Sequence, residues 1–145
     1  MRIWFDMDGT IVDLYGVKNR LEMLIAEDET PYAIAKPIVN LSLLARLMNK
    51  AQRNGYEICI VTALAKNSTN DYDEKVRNAK IKWLARHLKS VHFDEIKFVP
   101  YYYTKNDVND GNDWLFDDEE RHLSTWTGRA FPAKMMIEVL KTLAV

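Results

Sequence analysis

The stretch Met1-Arg2-Ile3-Trp4-Phe5-Asp6-Met7-Asp8-Gly9-Thr10 decides how this chain is read. Arg2 to Phe5 form a short, mostly apolar run, and two carboxylates, Asp6 and Asp8, follow it two residues apart. A turn, a calcium loop and a catalytic centre all use such a pair. Asp8-Gly9 alone is a common turn signal. An EF-hand loop starting at Asp6 would put Ile11 at its sixth position, where glycine is needed. It would put Val17 at its twelfth, where a bidentate glutamate is needed, so that reading fails. The choice between turn and catalytic centre depends on the rest of the chain.

Working outward, four more apolar segments look like buried strands: Glu57–Val61, Glu95–Val99, Trp114–Phe116 and Gly128–Phe131. Helical spacing separates them. Leu41, Leu44, Leu47, Met48 and Ala51 form one stripe, which Gly55 stops. Val76, Ala79, Trp83, Leu84 and Leu88 form a second, with Asp71 and Glu74 placed as a cap pair. Met136, Ile137, Leu140, Leu143 and Ala144 form a third. Strand alternating with helix predicts an α/β fold, a parallel sheet with helices on both faces. Tyr15 to Val39 breaks the alternation and reads as a short helix plus a loop, a small lid or flap within a single domain spanning 1–145.

The 145 residues suffice for one domain with a core, and 48% of them are hydrophobic. A net charge of −1 argues against a general binder of nucleic acid or anionic membrane, but not against a local anion pocket. No stable nucleic-acid partner is expected. Cys59, the single cysteine, lies in an apolar run, which fits a buried thiol in a reducing compartment. No apolar stretch reaches the roughly 20 residues of a membrane span, and the first five residues are too short for a secretory signal. The expected location is cytoplasmic.

Ligands of a parallel sheet bind beyond the carboxyl ends of its strands. There the sequence places Asp6, Asp8 and Thr10, then Thr62 and Ala63, then Pro100 to Lys105, then Asp117 and Asp118. Acids, a hydroxyl and an ammonium would converge on one spot. Asp6-Met7-Asp8-Gly9-Thr10 resembles motif I of the haloacid dehalogenase (HAD) superfamily, Ile60-Val61-Thr62 its motif II, and Leu115-Phe116-Asp117-Asp118 its motif IV. The weakly defined motif III lysine is read as Lys105, with Lys97 as runner-up. The resemblance implies a Rossmann-like HAD fold, a five-stranded sheet of order 3-2-1-4-5 and a minimal lid. It extends to the 5'(3')-deoxyribonucleotidase-like branch through Lys80 to Leu88 and Thr104-Lys105, with a shorter lid and a longer gap from Lys105 to Asp117.

The resemblance implies a role for each residue. Asp6 is the nucleophile that forms an aspartyl-phosphate. Asp8 is the general acid and base. Thr62, Ala63 and Lys105 bind the phosphoryl oxygens. Asp6, the backbone carbonyl of Asp8 and Asp117 hold Mg²⁺. Asp118 is expected to support the metal site from behind, through water or by orienting Lys105, with a cap for the next helix at Glu119-Glu120 as the other reading. The implied activity is a phosphomonoester hydrolase, a nucleotidase acting on a small phosphorylated substrate. Hydrolysis of other small esters or of polynucleotide ends, and a catalytically silent partner protein, stay open.

Other residues take plainer readings. His87, His92 and His122 lack metal-ligand spacing and read as surface or satisfied residues. Lys80, Lys82 and Arg86 read as a solvated basic face. Asn106 to Asp113 reads as a solvated loop. Tyr101 to Tyr103 suits either packing or stacking against a nucleobase.

Overall fold

Alternating side chains on the first strand set up the two faces of the sheet. The structure, a computed structural model, describes residues 1–145. Strand β1 (Arg2–Phe5) lies at the centre of the sheet. Ile3 and Phe5 point to one face, and Trp4 points to the other. After β1 come β2 (Val12–Asp13), α1 (Arg20–Ile25), α2 (Thr30–Ile34), β3 (Lys36–Pro37), α3 (Leu41–Arg53), β4 (Glu57–Ala63) and α4 (Asn70–His87). Then follow β5 (Glu95–Val99), a 3₁₀ turn at Lys105–Val108, β6 (Trp114–Asp117), α5 (Glu120–Leu123), β7 (Arg129–Pro132) and, after a second 3₁₀ turn, α6 (Met136–Leu143).

The five-stranded sheet is parallel throughout, in the order β5-β4-β1-β6-β7. Its numbering differs from the expected 3-2-1-4-5 because β2 and β3, which the apolar pattern is too short to reveal, interpose as a separate antiparallel pair. Phe5 is level with Ile60 on β4 and Phe116 on β6. That register brings Asp6, Thr62 and Asp117 out at one edge.

The two faces are unequally covered. Ile3, Phe5, Ile58, Ile60 and Phe116 pack under α3, α4 and α6 in the main core. Trp4, Cys59, Val61 and Leu115 on the other face meet Trp126, Val108 and Leu123. The connections there are short, so a 3₁₀ turn and the four-residue α5 stand where full helices were expected. Leu14 and Tyr32 pack on Leu64 and on Tyr72, Val76 and Ala79 of α4, which docks the 15–39 segment onto the first half of that helix.

Three local expectations are corrected. Residues 15–39 hold two helices, because Pro31 sits in the first turn of α2, where a missing N–H costs nothing. Thr69, in extended conformation, caps α4 by accepting from the Tyr72 N–H; Asp71 lies in the first turn and forms no cap pair with Glu74. Asn106 to Asp113 is not simply a solvated loop. It begins inside a 3₁₀ turn and ends on Asp113, a buried carboxylate. Gly128 shapes the entry to β7. Its φ is +111°, and a Cβ there would press on the Asp113 carbonyl.

Candidate active site

Asp6 follows β1 directly and is buried. Its Oδ1 accepts a hydrogen bond from Lys105 Nζ at 2.6 Å, and its Oδ2 accepts one from Thr10 Oγ1 at 2.8 Å. Asp117 ends β6 with no exposed surface (0%). It accepts from the same Lys105 ammonium at 2.7 Å and from the Glu119 N–H at 3.0 Å. Lys105 reaches this point from the 3₁₀ turn after β5 and is itself buried. Lys97, the runner-up, is exposed on β5 and pairs with Glu95 instead.

Burial pushes the Asp6 carboxyl up, but Lys105 and hydrogen bonds from Asp118 and Thr10 hold it below the usual carboxylate range. Burial works against the Lys105 charge, yet Asp6 and Asp117 raise it overall. Asp117 moves the other way. Burial and the Asp6 charge push it up to about 6, against the pull of Lys105. Asp118 is raised to about 8 by burial and by Asp6. Gly9, at φ +87°, lies against the Asp118 carboxylate, and a Cβ at that position would collide with it.

Asp6, Asp117 and Asp118 offer oxygens that lie within 4.8 Å of one another. The Lys105 ammonium bonds Asp6 and Asp117 but not Asp118, and two of the three crowded acids have raised pKa. An oxygen-only, anionic donor set of this kind fits a hard divalent cation such as Mg²⁺. Asp118, expected behind the metal site, stands in the cluster itself.

Asp8 lies half-buried in the turn after Asp6, and its partner was not foreseen. Lys80 of α4, only 1% exposed, donates to Asp8 Oδ2 at 2.8 Å, to Thr62 Oγ1 at 2.6 Å and to the Ala63 carbonyl at 2.8 Å. Its ammonium also lies 5.1 Å from the centre of the Tyr32 ring. The solvated-face reading is therefore wrong for Lys80, though Lys82 and Arg86 are exposed. The signal was present: Lys80 falls on the same helical stripe as Val76, Trp83 and Leu84. A lysine at a core-facing position needs a buried acceptor.

His122 was also misread. It is buried, its Nδ1 has no hydrogen-bond partner, and burial together with Lys105 and Arg121 lowers its pKa to about 4. It is neither a surface residue nor a satisfied one. His87 is half-buried and stacks on Trp83 at 4.2 Å, while His92 is exposed.

Asp6, Asp8, Ala63 and Lys105 line one cavity of about 220 Å³, together with His122, Arg20 and Tyr101 among others. Tyr101 is half-buried, with Arg121 5.0 Å from its ring centre, whereas Tyr102 and Tyr103 are exposed. A larger groove of about 490 Å³ lies between α3 and residues 87–90 and contains none of the clustered acids.

No family model matches the sequence, and no curated protein matches it. Among solved structures, the chain is similar to the D,D-heptose 1,7-bisphosphate phosphatase from Burkholderia thailandensis. The two share 16% identity over 85% of this chain and 69% of that one, with a TM-score of 0.49. No helix is long and apolar enough to cross a membrane.

Proposed function

We propose that the protein is a Mg²⁺-dependent phosphomonoester hydrolase of the HAD type, acting through an aspartyl-phosphate on nucleotides. The reading is supported by one observation above all: Asp6, Asp8, Thr62, Lys105 and Asp117 meet at the carboxyl edge of a parallel sheet, with both buried lysines bonded to them. A phosphomonoester carries nearly two negative charges, and an acidic pocket admits it only beside cations.

In this reading an Asp6 oxygen attacks phosphorus while Asp8 gives its proton to the departing ester oxygen. Water then attacks the phosphoryl group, Asp8 takes the proton, and Asp6 is released. Lys105 holds Asp6 ionised and aimed. Lys80 fixes Asp8 through Oδ2, leaving Oδ1 to carry the proton, and fixes the Thr62 hydroxyl, whose own proton stays available to a phosphoryl oxygen. Asp6, Asp117 and the Asp8 carbonyl, with Asp118 beside them, would hold Mg²⁺. When bound, the ion offsets negative charge on the phosphoryl group. Residues 15–39 act as the lid of a single cytoplasmic domain.

The cavity's size favours a second reading for the substrate. At about 220 Å³ it is smaller than the roughly 300–1,000 Å³ that enclose a drug-sized ligand. A leaving group that protrudes, such as a polynucleotide end, suits it as well as a free nucleotide. The test is a panel of nucleoside monophosphates, sugar phosphates and phosphorylated oligonucleotides with Mg²⁺, using Asp6→Asn as control. Hydrolysis by wild type and a loss of at least about 10³-fold in the variant are expected. Equal activity in both, or none on any ester, would overturn the reading.

A further inference from the structure

We propose that the substrate carries a second anionic group, held at the rim of the cavity by Arg20 and Lys66; this rests on the phosphomonoester reading above. Both side chains line the cavity that contains Asp6, Asp8 and Lys105. They come from separate elements, Arg20 from the start of α1 and Lys66 from the loop after β4. Neither has a carboxylate partner. Every acid lining that cavity is already engaged: Asp6 by Lys105, Asp8 by Lys80, and Glu119 by Arg121. Glu27, which lines an adjoining groove of about 350 Å³ together with Lys66, accepts from the Thr69 hydroxyl and forms no ion pair with Lys66.

The nearest partners of the two cations are neutral rings. The Arg20 guanidinium lies 5.0 Å from the Tyr15 ring centre. Lys66 Nζ lies 5.9 and 6.0 Å from those of Tyr101 and Tyr102. Rings place a cation without neutralising it. Each acid that lines the cavity thus touches a cation other than these two, while Arg20 and Lys66 touch no acid and keep their positive charges for something that enters. A phosphomonoester whose remainder is neutral would use only the floor. A second phosphate or a phosphodiester beyond the scissile group would meet the rim. Nucleoside bisphosphates, sugar bisphosphates and oligonucleotide 5' ends share that chemistry.

The experiment compares matched pairs: a nucleoside 3',5'-bisphosphate against the 5'-monophosphate, a hexose 1,6-bisphosphate against the 6-phosphate, and a 5'-phosphorylated dinucleotide against the mononucleotide. At least one doubly anionic member should show a kcat/KM about tenfold above its partner, carried by KM. The pair that does so identifies the source. Arg20→Ala with Lys66→Ala should bring that ratio toward one, and Arg20→Lys with Lys66→Arg should restore it. A ratio near one for every pair in wild type, or one that persists in the double alanine variant, overturns the proposal. Calorimetric titration of the Asp6→Asn protein with the same pairs tests the rim without turnover. Absence of hydrolysis on every ester counts against the proposed function, whereas equal binding within every pair counts against the second anion.

Discussion

Two buried aspartates bracket strand β6, four residues apart, and they live differently. Asp113 precedes the strand and is satisfied by neutral donors: Trp4 Nε1 at 3.1 Å, the Asp110 N–H at 2.9 Å and the Arg2 N–H at 3.3 Å. Asp117 ends the strand against Asp6, with one shared lysine, and its pKa is raised to about 6 by burial first and Asp6 second. Asp113 ties the amino edge of the sheet to β1 and to the loop before β6. Asp117 holds negative charge in excess of what the chain supplies to balance it. A buried acid that the fold completes is structural, and one that the fold leaves crowded awaits a ligand.

The contrast can be broken most directly at Asp117. Asp117→Asn should lower Mg²⁺-dependent ester hydrolysis by about 10³-fold. Its unfolding midpoint without metal should equal or exceed that of wild type, because one crowded charge is gone. Added Mg²⁺ should raise the midpoint of wild type but not of the variant. Parallel loss of activity and stability would erase the distinction.

Lys80 offers the next largest effect. Lys80→Met should cost about 10²-fold in kcat and also destabilise the fold, because the Asp8 carboxylate loses its ammonium. Adding Asp8→Asn should recover stability but not activity. If stability stays low, packing rather than charge explains the loss.

Asp113→Ala should cost about 2 kcal/mol in urea unfolding, since three N–H donors lose their acceptor. The folded protein should keep its kcat. A kcat defect at full folding would show that the amino edge of the sheet contributes to the chemistry after all.

His122 gives the smallest effect. Its folded pKa, about 4, lies below its ordinary value of 6.5, so the unfolded chain binds the extra proton between those values. Its contribution is present above pH 6.5 and is lost as pH falls toward 4. The stability advantage of wild type over His122→Gln should shrink as pH falls from 7 to 4. An advantage that does not change with pH would mean the ring only fills space.

The strands and the three long helices were legible because each buries a stripe of regular period, as Leu44, Leu47, Met48 and Ala51 do on α3. The acids were legible because several strand ends carry them together on the ligand-binding side of a parallel sheet, Asp6 and Asp8 after the first and Asp117 and Asp118 after the fourth. What escaped notice depends on contacts far apart in sequence. Lys80 looked solvated because its acceptors, Asp8 and Thr62, lie 72 and 18 residues away. Asp113 looked like part of a polar loop because its strongest donors include the ring of Trp4, 109 residues earlier. The pair β2 and β3 escaped because two-residue strands carry no period at all.

The bond from Lys105 to Asp6 closes a loop of 99 residues, and the one from Lys80 to Asp8 closes a loop of 72. Contacts of such long range are entropically expensive to close before the intervening chain is folded. During synthesis Asp8 stays without its ammonium until α4 has been made, and Asp6 until Lys105 follows. The cluster is complete only when β6 adds Asp117, after both lysines.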